Sequence, residues 1–394
     1  MSGVDSVFVL NTGSSSVKYR VVDAVSGAVA ASGVLDRIGE PGSGIADHRT
    51  AIARVLHELD GIQIDAVGHR IVHGGDRYVS ATVIDEEVER GIEALAPLAP
   101  LHNPPGLLGI RAARAALPEL PQVAVFDTAF HASMPIAART YAIDAELAAA
   151  HGIRRYGFHG TSYRIVSQRT AEFLGRPLEE LRMIVLHLGN GASAAAISGG
   201  RSIDTSMGMT PLAGLVMGTR SGDLDPAVLL YLQRNAGLGV DQLDELLNRR
   251  SGLFGLAGRS DMREITTAAA RGEETASLAL EVYLHRVRHY IGAYTAELGG
   301  LDALVFTAGV GENSAVVRQN AVEGLGFLGI EVEGASNLLP GSASRCISPP
   351  SARVPVLVIP TDEELQIARE TATVLGGQDL RKDLRQDLRQ DLRH

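Results

Sequence analysis

One local pattern occurs twice in this chain, and it limits the folds available more than any other feature. Near the N-terminus an apolar run, Val7–Leu10, meets a Gly/Ser turn and then an alternating segment through Val17, Tyr19 and Val21, which reads as a β-hairpin. Far downstream, Ile184–Leu188 leads into a glycine-rich turn at Gly189–Ser193, and Ala194–Ile197 begins another strand. Two related halves are expected, with both turns facing a common cleft. A third strand-and-turn unit, Ala303–Phe306 followed by Thr307–Asn313, opens into a helix with apolar positions Val316, Val317, Ala321 and Leu325.

Helical patterns fill the intervals at Glu86–Ala96, Gly106–Ala116, Ser162–Leu174, Pro226–Asn235, Gln242–Asn248 and Glu274–Leu298. Strands alternating with helices give an α/β architecture. A length of 394 residues exceeds one simple core and suggests two domains, 1–150 and 151–363, with the boundary near Ala148–Gly152. The end, residues 377–394, is a charged tail. Its repeat DLRKDLRQDLRQDLRH, Asp379–His394, would stack like charges at i,i+4 in a helix, so a solvated, frayed extension is expected.

The formal net charge of −10 argues against a nucleic-acid partner, because affinity for a phosphate backbone needs concentrated Lys and Arg. Anions must be captured by local positive charge instead. The single cysteine, Cys346, cannot form an internal disulfide, and no CxxC spacing exists. The start MSGVDSVFVLN lacks a basic segment followed by an apolar one, and no run approaches the ~18 apolar residues of a membrane helix. No membrane association and a cytoplasmic location are expected.

Several segments carry candidate chemistry. Asn11–Lys18, NTGSSSVK, places glycine, three hydroxyls and a lysine at a turn, either an ordinary Ser/Gly turn or a cradle for phosphate oxygens. It is not a Walker loop, since GxxxxGK[ST] is absent. His187–Gly191, HLGNG, repeats the logic, with Gly189 and Gly191 allowing close backbone approach. GVGEN, Gly309–Asn313, nearly matches a dinucleotide fingerprint but has Ser314 in place of the last glycine. The loop Ser206–Pro226 sets Arg220 among glycines and acidic residues without helix or strand periodicity. Arg70 follows the run from Ala66, and His159 lies between glycines in GFHGTS. An arginine is otherwise a solvated charge or structural ion pair, and a histidine a hydrogen-bonded core group. His102 precedes Asn103-Pro104-Pro105, read as a rigid break that fixes a loop. Asp127 ends the apolar strand Val123–Phe126, where an acid can be aimed at a cleft or serve as a cap.

These motifs, with GHRIVHGG at Gly68–Gly75, HNPPG at His102–Gly106 and FDTAFH at Phe126–His131, run in order from Val7 to about Glu370. Together they closely resemble the acetate kinase family. The resemblance implies two ribonuclease-H-like, actin-like ATPase domains flanking a nucleotide cleft, with a last helix, 364–376, returning to the first domain. It implies Mg²⁺-dependent in-line transfer from ATP to acetate, giving ADP and acetyl phosphate, with Mn²⁺ as an alternative ion. Arg70 would bind the substrate carboxylate, His102 would position substrate or phosphate, and Val72, Leu101, Phe158 and Pro211 would line a small acyl pocket. Asp127, His159 and Arg220 would be catalytic, Asp127 through the metal or by orienting the reactants. Nucleotide would be held by Lys18, His187, Leu188, Gly189, Asn190 and Gly191. Asp261, Met262 and Arg263, and Gly309, Val310, Gly311, Glu312 and Asn313 would complete its site. Asn11 and Glu363 would hold the metal. A homodimer is implied as well. A kinase for propionate or butyrate is the neighbouring reading, and an actin-like nucleotide switch is the reading from another class.

Overall fold

A computed structural model describes residues 4–391, with side chains through 377. The chain divides into two compact units, Met1–Phe130 with Asp362–His394, and His131–Thr361. The first is built on β1 (Ser6–Thr12), β2 (Ser16–Asp23), β3 (Val29–Asp36), β4 (Ala66–Ile71), β5 (Thr82–Val83) and β6 (Gln122–Phe126), ordered β3-β2-β1-β4-β6-β5. The second is built on β7 (Arg182–Leu188), β8 (Ala192–Ser198), β9 (Arg201–Thr205), β10 (Ala303–Thr307), β11 (Arg345–Cys346) and β12 (Val356–Val358), ordered β9-β8-β7-β10-β12-β11 when read the same way.

The two sheets share one plan. Each opens with an antiparallel three-strand meander, adds two parallel strands and closes on a short antiparallel edge strand. The repeated hairpins anticipated from sequence are its first two strands, with registers Asn11↔Lys18 and His187↔Ser193. The parallel strands explain the unbroken apolar runs: both faces are covered, so β6 and β10 are buried at every position. On β2 one face is wet, and Lys18 and Arg20 alternate with buried Val17, Tyr19 and Val21.

In the first unit the helices His48–Glu58 and Asn103–Ala116 cover one part of the sheet core, with Ile52, Val55 and Ala113 against Phe8, Leu10 and Val67. The last helix packs on β1, β2, β4 and β6. It approaches β4 so closely that a Cβ at Gly68 would sit 2.7 Å from Thr371 Oγ1 and 2.8 Å from Ile367 Cγ2. Gly68→Ala is expected to cost about 1–3 kcal/mol by overpacking, read as a shifted midpoint in chemical denaturation at unchanged slope. In the second unit the long helix Glu274–Glu297 lies on β7, β8 and β9, and Gly160–Leu174 lies on β7.

Four expectations change. The unit boundary falls at Phe130/His131, not at 148–152, because the intervening residues are already tied to the second sheet. His131 bonds Ser202 Oγ through Nδ1 (2.7 Å) and the Phe158 carbonyl through Nε2 (2.9 Å). His102-Asn103-Pro104-Pro105 is a helix start, since the helix runs Asn103–Ala116 and prolines in a first turn forfeit no intrahelical bond. GVGEN is itself helical, within Ala308–Asn313, and a second helix, Ala315–Ala321, begins under a Ser314 cap to Val317 N. The last helix spans Glu363–Asp391, past the expected end at 376; the side chains of the charged repeat lie outside the described residues. Among the described residues no helix is long and apolar enough to cross a membrane.

Candidate active site

In the first unit the parallel strands deliver charge to their carboxyl ends. Arg70 is the penultimate residue of β4, and Asp127 directly follows β6. The two form a fork: Arg70 Nε lies 3.2 Å from both Asp127 oxygens, and Nη2 lies 2.7 Å from Oδ2. Asp127 is 1% exposed. Glu363, at the start of the last helix, lies 3.7 Å from Arg70 Nη1. Burial works against the Arg70 cation, but Asp127, Glu363 and Glu364 outweigh it and hold its pKa above the ordinary guanidinium value. Burial pushes the Glu363 carboxyl above the usual carboxylate range against the pull of Arg70, with Asp127 and Glu364 adding to the upward push.

Lys18 pairs with Glu364, and Arg20 donates to Asp362 at 2.8 Å. Asn11, half-buried, stands opposite Lys18 across the first hairpin, whose turn is closed by Gly13 N donating to Ser16 O at 2.8 Å. Four carboxylates, Asp127, Asp362, Glu363 and Glu364, gather here with the cations Lys18, Arg20 and Arg70. Asp127 and Glu364 are buried and Asp362 and Glu363 half-buried, and all four offer oxygen donors of the kind a hard divalent cation takes. Among the described residues no group of three or more His, Cys, Asp or Glu is arranged to hold a metal alone. Val72 and His102 are half-buried in this unit, and Leu101 is exposed.

In the second unit His159 adopts a left-handed backbone, φ 58°, at the N-cap of Gly160–Leu174. Its Nδ1 lies 2.8 Å from Ser193 Oγ, and its ring stacks on His187 with centroids 4.1 Å apart. His187 Nδ1 in turn lies 2.8 Å from Ser162 Oγ. Arg220 donates from Nη1 to the Pro211 carbonyl at 2.7 Å, and among the described residues it has no carboxylate partner. Burial alone pulls its pKa below the ordinary value, which marks a partly desolvated cation without a counter-charge. Gly191 sits under both groups: a Cβ there would lie 3.5 and 3.6 Å from the Arg220 Nη atoms and 3.8 Å from His159 Nε2. A guanidinium and an imidazole nitrogen thus converge over a backbone kept bare by glycine. Phe158 is buried here, its carbonyl taken by His131.

A cavity of about 850 Å³ opens in the same unit. Gly189, Asn190 and Gly218 form one side of it, and Gly309, Val310 and Asn313 another. Asp261, Met262 and Arg263 contribute a third side with Thr266 and Thr267. Asp261 caps the helix Met262–Ala270 and is held at a pKa of about 2 by its hydrogen bonds from Arg263. Two of the expected nucleotide residues back the walls instead of lining the space. Leu188 is fully buried, and the Glu312 carboxylate accepts from Ala308 N (2.9 Å) and Thr361 N (3.1 Å), bracing the left-handed Ala308. Arg318 went unnoticed in the sequence: it is 2% exposed and donates to the carbonyls of Gly311 (3.0 Å) and Glu312 (2.8 Å), pinning the same segment. Thr266 and Thr267 also escaped notice, although their spacing after Met262 and Arg263 puts them on the same helix face.

Residues 6–369 match the model of the acetokinase family. The chain belongs to that family. Within the acetokinase family, the acetate kinase of Clavibacter michiganensis subsp. michiganensis is 56% identical over 393 residues, covering 94% of this chain and 99% of the relative. The acetate kinase of Streptomyces griseus subsp. griseus is 54% identical over 401 residues, covering 95% and 97%. Among solved structures, Porphyromonas gingivalis acetate kinase matches with a TM-score of 0.89 at 43% identity, covering 94% of this chain and all of that one (100%). A propionate kinase from Francisella tularensis subsp. tularensis matches with a TM-score of 0.88 at 40% identity, covering 94% and 99%. The two sheets are the acetokinase family's two actin-like domains.

Proposed function

We propose that this acetokinase catalyses reversible phosphoryl transfer from ATP to acetate, forming acetyl phosphate and ADP by direct in-line displacement. The observation that carries the mechanism is the convergence of Arg220 and His159 Nε2 over Gly191. A phosphoryl group passing between two anions gathers charge on its equatorial oxygens, and a desolvated guanidinium with no counter-charge is preorganised to meet it. The cavity beside Asn190 takes the nucleotide, with Gly189 and the GVGEN segment near its phosphates and Asp261–Arg263 toward its nucleoside. Lys18 contributes a second positive charge to the phosphates.

Arg70 holds the acetate carboxylate through its outer Nη1 edge, and Asp127 fixes the guanidinium plane from the other edge. This makes Asp127 an orienting group. Acetate is ionised at neutral pH, so no general base is required. Val72, Leu101, Phe158 and Pro211 set acyl size, and His102 positions substrate. Asn11 and Glu363 would hold Mg²⁺, or Mn²⁺ in its place, and the ion would supply charge neutralisation on the nucleotide phosphates. The cytoplasm is the matching location, where ATP is available and the exposed thiol of Cys346 stays reduced.

Acid-dependent ADP release tests the substrate assignment. kcat/KM is expected to fall from acetate to propionate to butyrate, each methylene being worth about 1–3 kcal/mol in an apolar pocket. A maximum at propionate would transfer the assignment to the neighbouring reading.

The chain is proposed to act as a homodimer through the helix Ala227–Ala236. No residue of that helix is buried, and Val228, Leu230 and Tyr231 leave an apolar surface beside exposed Leu224 and Val240. A second copy, related by a two-fold axis, covers such a face with itself. Tyr231→Glu is expected to give a folded monomer by light scattering; an unchanged dimer would place the interface elsewhere.

A further inference from the structure

We propose that Ser193, backed by Tyr163, is a positioning residue that sets the tautomer of His159, leaving Nε2–H as a donor on the edge nearest Arg220 while the imidazole stays neutral. This rests on the reading of His159 as a group that faces the transferring phosphoryl. Ser193 Oγ lies between two partners, His159 Nδ1 at 2.8 Å and the Tyr163 hydroxyl. Ser193 and Tyr163 are both 0% exposed, so no bulk water competes for these bonds. A serine hydroxyl has a single hydrogen. If the Tyr163 phenol donates to Ser193, that hydrogen is directed at His159 Nδ1, and the imidazole proton must reside on Nε2.

The opposite direction, from Nδ1–H through Ser193 to the phenol, is chemically weaker, because a phenol oxygen accepts poorly and donates well. Burial keeps Tyr163 protonated by pushing its pKa up, so the donor is present across the working range. The cationic Arg220 disfavours a second positive charge beside it. Arg220 from the glycine-rich loop approaches the same point as Nε2, and His187 from β7 stacks on the ring. Tyr163, from the helix that His159 caps, faces Ser193 from the other side, with His131 edge-on to the Tyr163 ring at 5.5 Å. A neutral imidazole that still donates is the form that serves a phosphoryl oxygen beside a guanidinium without adding like-charge repulsion.

The left-handed backbone of His159 serves the same end. A φ of 58° is unusual for a residue with a side chain, and here it aims the ring back across β8 to Ser193. Ser193 pairs with His187 across the hairpin, so one strand register places the stacking partner and the tautomer-setting hydroxyl together.

The test uses the full-length protein and the variants Ser193→Ala, Tyr163→Phe, Ser193→Thr and His159→Ala. Ring-¹⁵N-histidine NMR, with His159 assigned by its loss in His159→Ala, is expected to show protonated Nε2 and bare Nδ1 in the parent chain and a mixed tautomer in Ser193→Ala. Ser193→Ala is expected to lower kcat about 10- to 100-fold, with KM for ATP and acetate within about threefold. Losing a hydrogen bond donated to the neutral ring raises the imidazolium pKa, so the acid limb of the kcat/KM profile should move to higher pH. Tyr163→Phe should move it the same way by less, and Ser193→Thr should restore it. A protonated Nδ1 in the parent chain, or a Ser193→Ala enzyme with unchanged kcat and pH profile beside an inactive His159→Ala, would overturn the proposal. An active His159→Ala would remove the catalytic reading itself, and the proposal with it.

Discussion

Arg220→Ala is expected to lower kcat by about 10³–10⁵-fold, with KM for ATP and acetate changing less than about tenfold. The expectation follows from how the guanidinium is held. Among the described residues its only bonds are to the Pro211 carbonyl and, at 3.5 Å, the Met217 sulfur, and no carboxylate there neutralises it. Burial has already drawn down its pKa, and that desolvation is recovered only when negative charge arrives over Gly191. A group whose best partner exists at the transition state raises kcat rather than ground-state affinity. Arg220→Lys should recover only part of the rate, because an ammonium cannot hold the Pro211 carbonyl and face the phosphoryl group with the same planar fork. Steady-state kinetics at saturating substrates, with single-turnover rates to separate chemistry from release, check this. A loss confined to KM would make Arg220 a binding group.

Asp127→Asn is expected to have the second largest effect, on stability and activity together. The carboxylate is 1% exposed and accepts from two nitrogens of Arg70, so its removal leaves a mostly buried guanidinium whose nearest remaining carboxylate among the described residues is Glu363 at 3.7 Å. Breaking a buried pair from one side costs about 3–5 kcal/mol, and Glu363 should hold the loss near the lower figure. The freed guanidinium can then swing toward Glu363, away from the edge proposed to bind acetate. A misplacement of about 1 Å is enough for a 100-fold loss, so kcat/KM for acetate should fall at least that far while KM for ATP moves little. Denaturation midpoints and acetate kinetics measured on the same preparation separate the two effects. If stability falls but acetate KM does not change, Asp127 is structural and Arg70 binds elsewhere.

The duplicated plan was legible because hairpins are local: apolar alternation, a glycine turn and a returning strand lie within about twenty residues, and each half spells them out. The candidate residues were legible where glycine and proline punctuation left polar groups without a packing reason, as around Arg220 and His159. The unit boundary was not, because His131 is claimed by Ser202 and Phe158 through tertiary bonds that leave no local trace. The prolines after His102 have the local pattern of a break, yet they occupy the first helical turn, where a missing N–H is harmless. Ser193 and Arg318 escaped notice for a related reason. A serine in a glycine-rich turn and an arginine in a helix are ordinary locally, and only burial with specific partners marks them as supports of the site.

The most direct test of the central claim is a hydroxylamine trap for acyl phosphate, run on the purified chain with ATP and Mg²⁺, with and without acetate. Acetate-dependent hydroxamate, abolished in Arg220→Ala, is the expected result. ADP release that proceeds equally without any carboxylic acid, and yields no hydroxamate with acetate or propionate, would contradict it.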